Sequence, residues 1–170
     1  RGKRDTNNKT VLDKGLFYDS SLSSEEKIYL AGNGYKVGKF LPIGKKGAIE
    51  CWVKANKVES LPHSFLVYNI KELLSPLGKV ETHIVNKPDL IFTNKKGQEL
   101  AIEVETGLSY KKNKKKLYNK YLSLKKEYGD NLIFVLTDNN YKLRYQRLFE
   151  DFDSVVLRND LENMFKDKNE

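Results

Sequence analysis

The most constraining feature of this sequence is a pair of short apolar runs whose ends carry carboxylates. Residues 88–92 (PDLIF) and 100–107 (LAIEVETG) each contain one run, and a turn-forming NKKG segment lies between them. Apolar runs joined by such a turn predict a hairpin of two antiparallel strands. Because side chains alternate along a strand, Glu103 and Glu105 share one face. A hairpin can also place Asp89 beside that pair, since one strand starts near the end of the other.

Three carboxylates that converge at one end of a sheet repel each other unless a cation lies among them. Hard oxygen ligands of this kind suit Mg²⁺, Mn²⁺ or Ca²⁺. The alternative is that Asp89, Glu103 and Glu105 are solvated charges at the ends of strands, since Glu is common on exposed faces. On these residues alone, both interpretations stay open.

Length and composition favour a globular protein. The chain has 170 residues and 39% hydrophobic content, enough for one ordinary domain or a domain with a small appendage. No apolar run reaches the length needed to cross a bilayer. The single cysteine, Cys51, excludes an internal disulfide and fits a reducing, cytoplasmic compartment. Because the chain starts at Arg1, we expect it to be part of a larger protein.

The excess of positive charge is concentrated in one segment. The chain has 31 basic and 23 acidic residues, a net charge of +8. Residues 111–128 contain eight lysines and one acid, Glu127, which is a charge of 8 − 1 = +7. Such a cluster predicts a polyanionic partner, and we expect DNA. The alternative is a solvated helix face. The lysines assigned to nucleic-acid contact are Lys111, Lys112, Lys114, Lys115 and Lys120.

The first 57 residues are predicted to form a linker and a small helix and hairpin extension. A short strand at 16–18 precedes a helix that starts at Ser23 and stops at the glycines of 32–34. Two runs, at 35–41 and 48–53, then favour a hairpin. This order is compatible with a winged-helix remnant that touches DNA, and with an extension of the main sheet, which we favour.

Residues 58–170 are predicted to form an α/β domain. The expected core order is α-β-β-β-α-β, and a helix between Glu105 and Leu132 provides the crossover that a parallel pair of strands requires. This order predicts a mixed sheet flanked by helices. The expected elements are a helix from 60 to 74, strands at 80–85, 89–92, 100–105 and 131–137, a helix of about five turns after Gly107, and a helix, strand and helix at 141–149, 154–157 and 160–165.

This order of elements, with Pro88-Asp89 opening one strand and Glu103-Val104-Glu105 closing the next, resembles the PD-(D/E)xK nuclease superfamily. The likeness covers about residues 60–137. It implies a restriction-endonuclease-like fold and a Mg²⁺- or Mn²⁺-dependent endonuclease that hydrolyses DNA. Residues 62–65 (PHSF) and the lysine-rich helix also resemble nuclease-like domains of mobile-element and conjugation proteins.

The resemblance implies that Asp89, Glu103 and Glu105 are catalytic and bind the metal. Glu105 stands where the family usually has lysine, so we expect the lysine to come from the following helix. Lys116 is assigned to that role, and Lys112, one turn closer to the end of the strand, is the second choice.

His63 and Glu72 are further candidates for the site. His63 lies at the start of the predicted helix at 60–74, where it could contact metal or phosphate, and Glu72 on the same helix could add a metal ligand. The alternatives are a histidine with an ordinary hydrogen bond and a solvated carboxylate.

Two other functions remain compatible with the sequence. The nuclease fold can be kept without catalysis, as a module that binds DNA or docks a partner. A purely structural interaction domain is the third possibility. A nuclease that cuts both strands would commonly use two sites, so a homodimer is an expected assembly.

Overall fold

The computed structural model describes residues 12–85 and 87–166, and the chain divides into two compact units. The first unit ends at Asn69 and the second begins at Ile70, whereas the sequence predicts a boundary at 57/58. The linker predicted at residues 1–10 lies outside the described residues. The division falls within helix α2 (Leu61–Leu74).

The first unit contains a separate three-stranded sheet. Its central strand pairs antiparallel with a neighbour on each side, in the order β1 (Leu16–Tyr18), β3 (Ile49–Lys54) and β2 (Tyr35–Phe40). These strands therefore form a sheet of their own instead of extending the main one. The helix of this unit starts with a capping box, in which Ser23 and Glu26 satisfy each other's backbone N–H groups. The elements are β1 (Leu16–Tyr18), α1 (Ser24–Ala31), β2 (Tyr35–Phe40) and β3 (Ile49–Lys54).

The core of the first unit joins this sheet to the first turns of α2. The rings of Phe40 and Phe65 stack with their centroids 4.7 Å apart. Cys51 is fully buried in this core. The buried residues of this core are Leu16, Cys51, Val53 and Phe65.

The second unit is built on a mixed five-stranded sheet. Its strands lie in the order β4 (Gly78–Thr82), β5 (Leu90–Asn94), β6 (Glu99–Glu105), β7 (Leu132–Leu136) and β8 (Val155–Leu157). The β4–β5 and β5–β6 pairs are antiparallel, and the β6–β7 and β7–β8 pairs are parallel. The prediction of an α/β fold with a mixed sheet is thereby confirmed. The elements are β4 (Gly78–Thr82), β5 (Leu90–Asn94), β6 (Glu99–Glu105), α3 (Leu108–Lys112), α4 (Lys114–Tyr128), β7 (Leu132–Leu136), α5 (Lys142–Phe149), β8 (Val155–Leu157) and α6 (Leu161–Lys166).

Helices α4 and α5 pack on one face of this sheet. Leu117 and Tyr121 of α4 are buried, and the rings of Tyr121 and Phe149 stack at 4.2 Å. All five residues of β7 are buried, as expected for a strand inside a parallel sheet. None of the helices among the described residues is long and apolar enough to cross a membrane.

The predicted single helix after Gly107 is two helices in the structure. Gly107 has φ +92°, a left-handed conformation that suits glycine. Helix α3 ends at Lys112, because the next residue, Asn113, has a φ of −158° and a ψ of 88° that are not helical. The Asn113 side chain accepts a hydrogen bond from the Lys116 N–H (3.0 Å), and so caps the start of α4. This break sets where along the sheet each lysine of α4 lies.

Candidate functional site

The pairing of β5 with β6 brings two of the predicted carboxylates together. Leu90 pairs with Ile102, which places Asp89 level with Glu103. The Asp89 N–H donates a hydrogen bond to Glu103 Oε1 (3.0 Å), and the Val104 N–H donates one to Asp89 Oδ2 (2.8 Å). Each strand thus holds the carboxyl group of the other. The expectation that the hairpin places Asp89 beside Glu103 is confirmed.

A lysine from α4 joins the third carboxylate to this pair. Lys120 Nζ lies 2.5 Å from Glu103 Oε2 and 3.1 Å from Glu105 Oε1. Both glutamates therefore face the same side of β6, as the alternation of side chains predicts. Asp89, Glu103 and Glu105 are only 6%, 4% and 4% exposed, so they are not solvated charges at the ends of strands. The side chain of Lys120 is 42% exposed, which opens this cluster to solvent on the side of α4.

Tyr145 of α5 fixes the remaining oxygen of Glu105. Its Oη donates a hydrogen bond to Glu105 Oε2 (3.4 Å), and the Tyr145 side chain is fully buried. Burial raises the pKa of the Tyr145 hydroxyl, and the neighbouring charge of Glu105 raises it further. The phenol therefore stays protonated and remains a donor over the physiological pH range.

Burial and the neighbouring Asp89 disfavour the ionised form of Glu103, whereas Lys120 favours it. Burial raises the pKa of Glu103 well above its usual value, and the charge of Asp89 and a hydrogen bond with it act in the same direction, against the attraction of Lys120. Burial alone would lower the pKa of Lys120, but Glu103 and Glu105 raise it above its usual value. Whenever all three carboxylates are ionised, their charge exceeds the single positive charge of Lys120 by two.

The chemistry of this donor set fits a divalent cation. A cation of charge +2 would balance the excess, and buried carboxylate oxygens are the ligands that Mg²⁺ and Mn²⁺ prefer. In the first unit, Glu59 and His63 also offer carboxylate and imidazole atoms of the kind that hold metal ions. The chain therefore has groups that could hold a metal ion, whose identity the residues leave open.

The lysine at the carboxylates is Lys120, although the sequence assigned the catalytic role to Lys116. Both residues lie on one line of α4, and four residues of helix are about 6 Å along its axis. Lys116 falls in the first turn next to the Asn113 cap, where it is exposed. Lys120 lies one turn further along, level with Glu103 and Glu105. The other lysines assigned to nucleic-acid contact are all exposed: Lys111, Lys112, Lys114 and Lys115.

The two further candidates have different surroundings. His63 is buried, and its Nδ1 lies 3.7 Å from Glu59 Oε2, four residues earlier. Glu72 is exposed on α2, unlike the three buried carboxylates.

The sequence did not identify Tyr145 as part of the site. This residue is 40 positions from Glu105, and no motif links the two. The helical spacing of Tyr141, Tyr145 and Phe149 was the only available signal, and it indicates a buried face of α5.

In comparisons with known proteins, no family model, curated protein or solved structure matches the chain.

Proposed function

We propose that the second unit is a metal-dependent endonuclease with a restriction-endonuclease-like fold that hydrolyses the phosphodiester bonds of DNA. One observation carries the proposal: Asp89, Glu103 and Glu105 are all buried, Asp89 is hydrogen-bonded beside Glu103, and Lys120 pairs with both glutamates. Burying charged carboxylates costs several kcal/mol per ion unless they are paired or bind a cation. An arrangement this costly is typical of a functional site more often than of a structural one.

The carboxylates are the ligands in this proposal. Asp89 and Glu103 would hold Mg²⁺ or Mn²⁺, with Glu105 beside them. When bound, such an ion lowers the pKa of a coordinated water and stabilises negative charge on the leaving oxygen. The N–H groups of Asp89 and Val104 keep the Glu103 and Asp89 carboxyl groups in fixed orientations, which reduces the reorganisation needed to bind the ion.

Lys120 takes the role of the family lysine that the sequence gave to Lys116. Its ammonium group can donate hydrogen bonds to the attacking water or to a phosphate oxygen. Glu105 holds this ammonium group in place and is itself held by Tyr145. In this arrangement Glu105 compensates for the absence of a lysine at its own position, because it positions a lysine from the next helix.

The second candidate is a nuclease fold that binds DNA or a partner without cleaving. It is favoured by the same ion pairs, since Lys120 already neutralises part of the charge that a metal would neutralise. The two candidates differ in one respect. In a catalytic site, a divalent ion must replace part of the pairing between Lys120 and the glutamates, whereas a binding module can keep that pairing.

Cleavage of supercoiled plasmid in Mg²⁺, Mn²⁺ or EDTA tests the proposal. We expect metal-dependent nicking by the wild type and a loss of about 100-fold or more in Asp89→Asn and Glu103→Gln, which change the charge but little of the volume. Glu99→Gln is the matched control, an exposed carboxylate on the same strand, and should cleave normally. Circular dichroism verifies that all variants fold.

Each other outcome has a distinct meaning. Full activity in either site variant would contradict the assignment of that residue. Retained DNA binding without cleavage in any metal would favour the binding module. No binding to DNA or RNA at low salt would favour a structural interaction domain.

A further inference from the structure

Three cations of the second unit lie over the faces of two tyrosine rings. Lys114 Nζ is 4.6 Å from the centroid of Tyr110. Lys111 Nζ and the guanidinium carbon of Arg144 are 5.5 Å and 5.2 Å from the centroid of Tyr141. An aromatic face attracts a cation electrostatically within about 6 Å of its centroid. The rings therefore favour one position for each of these long side chains.

These three cations have no anionic partner among the residues that the structure describes. Lys120 and Lys125 of α4 pair with carboxylates, whereas Lys111, Lys114 and Arg144 have no described carboxylate within 4.0 Å, and all three are exposed. A tyrosine ring orients a cation without neutralising its charge. The set therefore presents three positive charges and about eleven N–H donors to solvent.

The tyrosines connect this set to the carboxylate cluster. The ring of Tyr110 stacks on that of Tyr145 with centroids 5.7 Å apart, and Tyr141 meets Tyr145 edge to face at 6.5 Å. Tyr145 in turn donates its hydrogen bond to Glu105. Two successive rings therefore separate each of these cations from Glu105: first Tyr110 or Tyr141, and then Tyr145. The three cations lie on α3, α4 and α5.

We propose that Lys111, Lys114 and Arg144 form a phosphate-binding set that holds the backbone of the nucleic-acid strand next to the carboxylate site. The proposal rests on the proposed function for the identity of the anion, and it adds Arg144, which lies outside the lysine-rich segment. The planar guanidinium group of Arg144 can bind a phosphate with two parallel hydrogen bonds, and the lysines act as point charges.

The rings distinguish these cations from their sequence neighbours. No described aromatic ring lies under Lys112 or Lys115, which are equally exposed. A free lysine side chain loses up to about 2 kcal/mol of rotamer entropy when it is fixed by a ligand. Lys111 and Lys114 have already lost part of that freedom, so each should bind phosphate more tightly than the lysine that follows it.

Two pairs of variants with equal charge test this inference. Lys111→Gln/Lys114→Gln is compared with Lys112→Gln/Lys115→Gln, in which the next lysine of each of the same two helices is replaced. Arg144→Gln is compared with Arg147→Gln, one turn further along α5 and also exposed. Binding to a labelled 30-base-pair duplex is measured by fluorescence anisotropy in EDTA, which prevents cleavage, over a series of KCl concentrations.

We expect DNA binding by the first variant of each pair to depend less steeply on salt, because that variant makes fewer phosphate contacts. The slope of log K against log salt should fall by about 1.8 for Lys111→Gln/Lys114→Gln and about 0.9 for Arg144→Gln, since each phosphate contact contributes about 0.9. The controls should change by less than half as much. Restoring the charge in Lys111→Arg/Lys114→Arg should restore the slope.

Failure of this inference is separable from failure of the proposed function. Equal effects in the test and control variants would overturn the phosphate-binding set, even if the wild type cleaves DNA. Unequal effects as predicted would support the set, even if no metal produces cleavage. A wild type that binds no nucleic acid at low salt would overturn it directly.

Discussion

Replacing Lys120 with methionine is the most informative perturbation of this site, because it removes the cation that pairs with two of the three buried carboxylates. Methionine keeps the length and most of the apolar stem of lysine. Lys116→Met is the matched control on the same line of α4, where the lysine is exposed beside the helix cap.

The size of the effect follows from the burial of the two partners. Removing one member of a buried ion pair costs about 3–5 kcal/mol, and exposed pairs contribute about 0–1 kcal/mol. Glu103 and Glu105 are buried, but the side chain of Lys120 is 42% exposed, so water screens part of the loss. We expect the free energy of unfolding to fall by about 2 kcal/mol at pH 8, or about 4–8 °C in Tm. Lys116→Met should stay within about 0.5 kcal/mol of wild type.

The loss should depend on pH with a definite sign. Glu103 has a pKa raised by burial and by Asp89, so ionising it in the folded state costs stability as pH rises above its usual value of 4.5. Lys120 opposes that increase, and without it the pKa of Glu103 rises further. Thermal unfolding followed by circular dichroism in EDTA should therefore show a small difference from wild type at pH 5 and a larger one at pH 8.

Divalent ions should partly reverse the effect. Adding Mg²⁺ or Mn²⁺ at pH 8 should raise the Tm of Lys120→Met more than that of wild type, because the ion replaces the missing positive charge. Equal stability of Lys120→Met and Lys116→Met at every pH would refute the reasoning.

Two further predictions concern the scaffold of the second unit. Asp151 accepts hydrogen bonds from Tyr121 Oη and Ser154 Oγ, both 2.7 Å long. Burial raises the pKa of Asp151, but these hydrogen bonds outweigh that effect and lower the pKa to about 2. Asp151→Ala should lower the free energy of unfolding in urea by about 2 kcal/mol at pH 7. The difference from wild type should shrink as pH falls from about 4 towards 2. A difference that is constant with pH would contradict the view that the hydrogen bonds of the ionised Asp151 cause the stabilisation. Gly107→Ala should cost about 2 kcal/mol, because its Cβ would lie 3.0 Å from the Tyr141 ring at φ +92°. Gly97→Ala, at φ +81° with open space around it, should cost only the backbone strain of about 1 kcal/mol. An equal loss of stability in the two variants would show that the Tyr141 ring moves aside without a measurable cost.

The carboxylate hairpin could be predicted because its determinants are local. Alternation fixes which side chains share a face, and a turn that ends in Gly97, at φ +81°, fixes which residues pair. Together they place Asp89 opposite Glu103 without any knowledge of the rest of the chain. The parallel pairing of β6 with β7 was also predictable, since the intervening helix requires a crossover.

The choice of lysine could not be predicted from the same information. Lys116 and Lys120 occupy the same face of α4, and only the axial offset of the helix decides between them. That offset depends on the turn at Gly107 and on the break at Asn113. A single Asn among lysines is compatible with an uninterrupted helix, although Asn is also a favoured N-cap residue. Tyr145 was out of reach because its contact with Glu105 depends on how α5 packs against the sheet.

The predicted bounds of β4 show the same limit at the edge of the sheet. The alternating pattern at 80–85 predicted a strand through Val85, but β4 runs from Gly78 to Thr82. An alternating pattern reports exposure on two faces and does not show where a partner strand ends. Here β5 begins at Leu90, which pairs with Thr82, so ladder pairing stops at that point.

Binding of a divalent ion by the buried carboxylates is the claim on which the account depends. The most direct measurement is an anomalous difference map from crystals soaked in Mn²⁺. The account predicts a peak bonded to carboxylate oxygens of Asp89 and Glu103. A map with no peak at saturating Mn²⁺, and with Lys120 still joining Glu103 to Glu105, would contradict it.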